Sequence, residues 1–228
     1  MWQECISATT IEEAVEALAK AGTGARIIAG GTDLILEMER GARKGLQTII
    51  DISRIPCLDQ ICLDEDGGLH LGPLVTHNHC VQSLLVRDGA FPLAKAAWEV
   101  GSPQIRNRGT IAGNVITASP ANDTITPLMA LNAVLTLRSV RGERMVPINA
   151  FYTGVRRTVM EPDEILVDIC VPMLKSNQRG TFTKFALRRA QAISVLNAAV
   201  VVSMNAEVVE SASITLGAVA PVIIHALE

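Results

Sequence analysis

The sequence lacks several patterns that define common nucleotide-binding and metal-binding proteins. There is no Gly-Lys-Ser/Thr phosphate loop, and no Gly-x-Gly-x-x-Gly pattern follows a predicted strand, which removes support for ATP hydrolysis and ordinary NAD binding. The five cysteines include no Cys-x-x-Cys pair and predict neither a disulfide scaffold nor an iron–sulfur or zinc centre. His77 and His79 would point to different sides of a helix. We therefore expect no metal site.

Charge and hydropathy exclude two classes of partner. With 20 basic and 23 acidic residues, the net charge of -3 provides no overall basic field for nucleic acid. No apolar run reaches the ~18 to 20 residues that span a bilayer, and the first residues lack the basic start and apolar core of a secretion signal. The 49% hydrophobic content over 228 residues is enough for one large or two modest domains. We expect a globular, cytoplasmic protein.

What the chain does contain is a segment of small polar residues, 104–123. Short polar side chains alternate there with glycines. Such a segment exposes main-chain N–H groups and hydroxyls at close range, as a phosphate group requires. By itself, it is equally compatible with an ordinary polar loop before a helix.

A second run of the same character lies far upstream, at residues 29–33, and we call it the first glycine turn. It follows the apolar pair Ile27-Ile28 and precedes a helix-like stretch, 34–40. Adjacent glycines between a strand and a helix start form a ready anion site, because the first N–H groups of a helix have no partner within it. We call residues 109–114, within the polar segment 104–123, the second glycine turn. The two polar segments together could hold one diphosphate from both sides.

The remaining pattern predicts an α+β fold, with a two-lobed domain of mixed α/β units followed by an antiparallel sheet. The first ~50 residues alternate helix and strand, which is typical of parallel pairing. We predict lobes at about 1–55 and 56–175, and one helix from Thr76 towards Arg87. Residues 176–228 are strand-rich and predict the start of a C-terminal sheet domain that looks cut short, with no following helix to cover it.

With both turns in view, the chain resembles the flavin-binding subunit of the molybdenum hydroxylases, a group that contains xanthine dehydrogenase, carbon monoxide dehydrogenase and hydroxybenzoyl-CoA reductase. Residues 29–34 resemble that family's first FAD loop, and residues 105–123 resemble its second. Further matches extend over nearly the whole chain, at Leu71-Gly72-Pro73 before Thr76-His77, at 163–166 before Pro172, at 182–189 and at 216–221.

The resemblance implies FAD as the cofactor. It implies no catalytic residue in this chain, because the flavin ring itself carries the electrons. The residues that it places at FAD are Arg26, Ile27, Ile28, Ala29, Gly30, Gly31, Thr32, Asp33, Ile105, Gly109, Thr110, Ile111, Ala112, Gly113, Asn114, Thr117, Asp123, Ile165, Leu166 and Lys184.

The same resemblance divides these residues among parts of FAD. The two glycine turns would hold the diphosphate, and Thr117 and Asp123 would bind the ribityl and diphosphate region. Ile105, Ile165 or Leu166, and Lys184 would lie near the flavin ring. A cation there would stabilise negative charge on the reduced ring, but a surface lysine in a strand is an equally good interpretation of Lys184.

By resemblance, the partners are an iron–sulfur small subunit and a molybdopterin large subunit in a heterotrimer, with NAD or another acceptor receiving the electrons. Two alternatives stay open, a stand-alone FAD oxidase of the vanillyl-alcohol oxidase type and a cofactor-free scaffold module. The family usually has Gly-Gly where this chain has Ala112-Gly113. The added methyl narrows backbone freedom, so FAD could sit differently or bind more weakly.

Overall fold

The computed structural model of the chain describes residues 2–226. Its N-terminal lobe is a parallel three-stranded sheet with strand order β1-β3-β2. The strands are β1 (Glu4–Ser7), β2 (Ala25–Ile28) and β3 (Thr48–Asp51), and the helices are α1 (Ile11–Ala21) and α2 (Leu34–Glu39). The prediction of a small parallel α/β unit is confirmed.

Helix α1 forms because it has a capping residue at its start, a glycine at its end and one apolar face between them. The Thr10 hydroxyl accepts a hydrogen bond from the Glu13 N–H at 3.1 Å, and Gly22 ends the helix with φ of 54°. Ala14, Val15 and Leu18 lie on one face and are buried against the sheet. This is the ordinary arrangement of a surface helix whose packing face supplies most of its stability.

The middle of the chain forms a five-stranded antiparallel sheet with strand order β4-β5-β10-β6-β7. Six helices, α3 to α8, accompany it, together with the short ladder of β8 and β9. The strands are β4 (Ile61–Leu63), β5 (Gly68–Leu71), β6 (Val134–Ser139), β7 (Gly142–Pro147), β8 (Tyr152–Gly154), β9 (Arg157–Thr158) and β10 (Ile165–Pro172). The helices are α3 (His77–Gln82), α4 (Leu84–Gly89), α5 (Phe91–Glu99), α6 (Pro103–Arg108), α7 (Ile111–Thr117) and α8 (Ile125–Ala130).

Two local predictions in this region were wrong. The single helix predicted from Thr76 is two helices, α3 and α4, because Ser83 has extended backbone angles and its hydroxyl accepts from the Val86 N–H at 3.4 Å. Segment 104–123 is largely helical rather than open loop. Ser102 caps α6 and Thr110 caps α7. Both helices therefore begin at polar caps, which are difficult to recognise in the sequence beside so many glycines.

The C-terminal strands form an antiparallel sheet in the order β11-β12-β13-β14. They are β11 (Gln178–Ala186), β12 (Ser194–Asn205), β13 (Val208–Gly217) and β14 (Ile224–His225). No covering helix was predicted after this sheet, but α5 packs against β11, and α8 packs against β12 and β13. Phe182, Ala199 and Val201 thereby join the same hydrophobic core as the middle helices.

Two hydrophobic cores result, and they meet at the start of β10. The smaller core lies in the N-terminal lobe and includes Leu18 and Ile50, whereas the larger core joins the middle region to the C-terminal sheet. Ile165 belongs to the smaller core, and its neighbour Leu166 belongs to the larger one. Across residues 2–226, no helix combines the length and apolarity needed to cross a bilayer.

Candidate functional site

The two glycine turns touch each other. A Cβ atom placed on Gly30 would lie 1.9 Å from the carbonyl oxygen of Arg108 and 3.2 Å from the Cα of Gly109. Only a residue without a side chain permits this approach. Gly31, with φ of +74°, then turns the chain into α2, a backbone conformation that glycine adopts most readily. The predicted convergence of the two turns is therefore observed.

A cleft with a volume of ≈ 410 Å³ opens where the turns meet. Its walls come from both cores. The sequence-predicted residues that line it are Arg26, Ile27, Ile28, Ala29, Gly30, Gly31, Thr32, Asp33, Ile105, Gly109, Thr110, Ala112, Gly113, Asn114, Thr117, Ile165 and Leu166. This volume lies within the range of small-molecule sites in proteins.

The first glycine turn offers main-chain donors to this cleft. The N–H groups of Gly30, Gly31 and Thr32 have no hydrogen-bond acceptor within residues 2–226. Burial raises the pKa of Asp33, as does Glu37, while Arg156 and the Thr117 hydroxyl lower it. Asp33 at the end of the first turn and Thr117 at the end of α7 line the same cleft.

Three arginines carry positive charge at the cleft, and the sequence analysis had identified only Arg26. Burial lowers the pKa of Arg26, with a further contribution from Arg43. The guanidinium groups of Arg43 and Arg156 each lie 2.7 Å from the Glu37 carboxylate. Nothing in the sequence near Arg156 shows that it pairs with Glu37 of α2.

The second glycine turn is held by side-chain hydrogen bonds to the backbone. Thr110 Oγ1 accepts from the Gly113 N–H at 2.9 Å, and Thr117 Oγ1 donates to the Gly113 carbonyl at 2.8 Å. The Asn114 side chain accepts from the Thr124 hydroxyl at 2.5 Å. The short polar residues of this segment therefore fix its backbone, in addition to lining the cleft.

His77 is a cleft residue that the sequence analysis missed. Its N–H donates to the Gly109 carbonyl at 3.1 Å, while its side-chain Nδ1 is buried and has no partner within the described residues. Burial, with a contribution from Arg106, lowers the pKa of His77 to about 4. The imidazole is consequently neutral at pH 7. Its position directly after the helix cap Thr76 was visible in the sequence, where a metal-ligand role was rejected and no contact with FAD was assigned.

A second, smaller cleft of ≈ 260 Å³ contains Asp123 and Lys184. It shares Val100, Ile105 and Asn114 with the first cleft, so the two clefts adjoin. Main-chain donors and arginines line the first cleft, and Lys184 lines the adjoining second cleft. Two adjoining clefts suit the elongated form of a dinucleotide cofactor.

Lys184 is not a surface residue. Its Nζ lies 2.6 Å from the Asp123 carboxylate, and the two side chains are only 6% and 7% exposed. Asp123 also accepts from the Ser194 hydroxyl at 2.6 Å and from the Asn197 amide at 3.2 Å. Buried charges persist in proteins when they are paired and hydrogen-bonded in this way, and the interpretation of Lys184 as a solvent-exposed lysine is wrong.

Ile111 is a predicted FAD contact that the arrangement of the two clefts does not support. It lines neither cleft and is fully buried in the larger core. The reason is its helical position. As the first residue of α7, it turns its side chain inward, while Ala112, Gly113 and Asn114 line the cleft.

Comparison with known proteins identifies the family. Residues 2–174 match the family described as FAD binding domain in molybdopterin dehydrogenase, and residues 181–228 match the CO dehydrogenase flavoprotein C-terminal domain. The chain is 37% identical over 182 residues to the nicotinate dehydrogenase FAD-subunit of Eubacterium barkeri, covering 78% of this chain and 61% of that protein. It is 32% identical to the carbon monoxide dehydrogenase medium chain of Hydrogenophaga pseudoflava, covering 93% and 73% of the two chains.

Solved structures agree with these matches. Carbon monoxide dehydrogenase from Hydrogenophaga pseudoflava superimposes with a TM-score of 0.94 at 30% identity, over 99% of this chain and 77% of that chain. Quinoline 2-oxidoreductase from Pseudomonas putida 86 gives a TM-score of 0.90 at 26% identity, over 99% and 76%. The chain spans 61% to 65% of the length of the first curated relatives. The α+β fold prediction is confirmed, and the chain belongs to the FAD-binding family of the molybdopterin dehydrogenases.

Proposed function

We propose that this chain is the FAD-binding, electron-transferring subunit of a molybdenum hydroxylase complex. The observation that carries the proposal is the contact between Gly30 and the Arg108–Gly109 backbone along one cleft. When bound, FAD supplies the two-electron and one-electron chemistry that links such redox partners. The work of the polypeptide is to bind the cofactor, orient it and set the charge around it.

The residues that line the clefts fit an elongated dinucleotide. The free N–H groups of Gly30, Gly31 and Thr32, together with Arg26, would bind the diphosphate. Anion sites in proteins are commonly built from such main-chain donors and a nearby cation. Except for Ile111 and for Asp123, which would act through Lys184, the predicted FAD contacts are retained in this proposal, and His77 is added to them.

The flavin ring would lie towards the second cleft, between Ile105 and Lys184. Asp123 would then act indirectly, because its carboxylate is already occupied by Lys184, Ser194 and Asn197. Its role would be to hold the ammonium group in place. A fixed cation in a site with little water stabilises negative charge more strongly than a mobile one in solvent.

The proposed partners are an iron–sulfur small subunit and a molybdopterin large subunit, with NAD or another acceptor taking the electrons. Support comes from the relatives, which are named as an FAD-subunit of nicotinate dehydrogenase and a medium chain of carbon monoxide dehydrogenase. A heterotrimer in the cytoplasm belongs to the same proposal. So does the division into an FAD-binding part, residues 1–175, and a sheet domain from residue 176, which the two matched ranges support.

The experiment is to purify the protein from its native source, record its absorption spectrum and identify the chains that elute with it. We expect a flavin spectrum, and molybdenum-containing and iron–sulfur chains in the same fractions. Flavin without these partners would favour the stand-alone oxidase. Protein without flavin, which also fails to take up added FAD, would favour the scaffold and contradict the proposal.

A further inference from the structure

A row of potential metal ligands crosses the middle sheet outside both clefts. Cys62 on β4, His70 on β5 and Cys170 on β10 are register partners, so their side chains share one face of the sheet. Directly opposite residues on neighbouring strands are close enough to act on a common ligand. Asp64 lies in the turn after β4, and Asp168 lies two residues before Cys170 on β10.

The imidazole of His70 lies between two carboxylates. Its Nδ1 is 2.8 Å from Asp168 Oδ2, and its Nε2 is 3.0 Å from Asp64 Oδ2. One ligand atom from each of Asp64, His70 and Cys170 lies within 4.8 Å of the other two. A carboxylate that orients one ring nitrogen while the other faces further donors is the arrangement found around protein-bound zinc.

The turn that carries Asp64 directs one carboxylate oxygen into this cluster. Asp64 Oδ1 accepts from the N–H groups of Asp66 at 2.9 Å and Gly68 at 2.6 Å. Oδ2 therefore remains for the cluster. A Cβ atom placed on Gly68 would lie 2.6 Å from Asp64 Oδ2 and 2.9 Å from Cys170 Sγ, so the glycine leaves room for both groups to approach a shared ion.

We propose that Asp64, His70 and Cys170 bind one divalent transition-metal ion of the Zn²⁺ type, and that Asp168 acts as a positioning residue for His70. Imidazole nitrogen, thiolate sulfur and carboxylate oxygen are the three ligand types that Zn²⁺ accepts, and water would complete a four-coordinate site. The ion would tie the turn between β4 and β5 to β10. The competing interpretation is that a proton alone joins His70 to the two carboxylates.

This site could not be inferred from cysteine spacing. The thiols are scattered along the sequence and predict no metal site, because no ligands cluster along the chain. The ligands are instead gathered by the pairing of β5 with β10, whose residues are about a hundred positions apart. The proposal is independent of FAD, since none of its residues is assigned to either cleft.

The test uses the full chain loaded with FAD and Zn²⁺ as the probe. Isothermal titration measures stoichiometry and affinity, and X-ray absorption at the zinc edge identifies the ligands. We expect one ion per chain with a single sulfur neighbour at about 2.3 Å and nitrogen or oxygen neighbours at about 2.0 Å. Wild-type protein that binds no Zn²⁺, or binds it without a sulfur neighbour, would overturn the proposal.

Two cysteine variants form a matched pair, because Cys62 and Cys170 lie on opposite sides of His70. Cys170→Ser should remove the sulfur neighbour and weaken Zn²⁺ binding. Cys62→Ser should change neither the sulfur neighbour nor the affinity for Zn²⁺. Asp168→Asn keeps all three ligands and should weaken Zn²⁺ binding by roughly 10- to 100-fold, the usual range for such partners. Unchanged affinity in Cys170→Ser, or equal loss in both cysteine variants, would contradict the assignment.

Discussion

The two glycine turns meet in one cleft, but they depend on glycine for different reasons. At the first turn, Gly30 lies so close to the Arg108 carbonyl that a Cβ would overlap it at 1.9 Å. At the second turn, position 112 is already an alanine, and a Cβ on Gly113 would meet only the Thr110 hydroxyl, at 2.9 Å. The first turn is where the two lobes touch, whereas the second is the capped start of a helix.

The comparison shows that a glycine-rich motif can have two origins. Contact between backbones imposes a strict requirement, because neither partner can move without shifting its lobe. A helix start requires glycine less strictly, because the Thr110 hydroxyl can rotate and a small side chain such as that of Ala112 can turn into the core. The first turn should therefore tolerate substitution much less than the second. The following experiments test this difference, from the largest expected effect to the smallest.

Gly30→Ala should have the largest effect. The new methyl would overlap the Arg108 carbonyl, so the two backbones must separate, and we expect a cost of about 3 kcal/mol, the upper end of the usual range for overpacking. We expect FAD binding to weaken by about 100-fold or more, as measured by fluorescence titration of the apoprotein. Gly24→Ala is the matched control, since its nearest contacts would be at 3.9 Å. Equal affinity in the two variants would remove the distinction between the turns.

His77 supports the second turn and predicts a pH dependence. The folded pKa of about 4 lies below the ordinary value of 6.5, so unfolding binds a proton between these values and stability falls as the pH falls from about 6.5 to 4. The total is about 3 kcal/mol, at 1.36 kcal/mol per pKa unit. Urea unfolding at a series of pH values should show this loss in wild type and a smaller one in His77→Leu.

The role of His77 is tested by the difference in unfolding free energy between wild type and His77→Leu, because the carboxylates titrate in both proteins. Above about pH 7 the difference in unfolding free energy should be constant with pH. If both proteins lose the same stability on acidification, His77 is not a buried neutral base.

Thr110→Val tests whether the second turn depends on its cap. Loss of a capping hydroxyl costs about 1 kcal/mol, and here it also frees the Gly113 N–H at the cleft. Thr10→Val removes the equivalent cap from α1, at a residue that lines neither cleft. Thermal denaturation should show similar losses of stability in both variants, but only Thr110→Val should weaken FAD binding. Weaker binding in both would mean that general destabilisation is the cause.

Ala112→Gly should have the smallest effect on FAD. The alanine lines the cleft but is only 3% exposed and packs in the larger core, so little of its surface faces the space for the cofactor. Removing it costs helix propensity and buried apolar surface, about 1 kcal/mol or slightly more of stability. FAD affinity should change by less than about threefold. Tighter binding by tenfold or more would support the earlier hypothesis that Ala112 weakens the site.

The parts of this site that sequence could predict are those with a local signal. The first glycine turn follows an apolar strand and precedes a helix, and the resemblance of both turns to one family predicted that they converge. The apolar pair Ile27-Ile28 that precedes this turn lies in strand β2. In contrast, nothing in the sequence indicated β1, because its four residues are little buried and show no clear alternation.

The parts that sequence could not predict depend on contacts between distant residues. Lys184 is buried because Asp123, about sixty positions earlier, accepts its hydrogen bond, and nothing near Lys184 in the chain indicates this. Ile111 was assigned to the cofactor by the family resemblance, whereas its position in α7 buries its side chain in the larger core. The same limit applies to the sheet of β11–β14, which is covered by helices that precede it.

The start of β10 has a mechanical consequence for exchange of the cofactor. Ile165 and Leu166 are adjacent yet anchored in separate cores, and the ladder between β10 and β6 has an irregularity between Leu166 and Asp168. Movement of the two cores away from each other would therefore strain the backbone at this peptide, because the chain is anchored on both sides of it. We expect FAD release to require this strain, so release should be slow and should become faster as this segment unfolds locally.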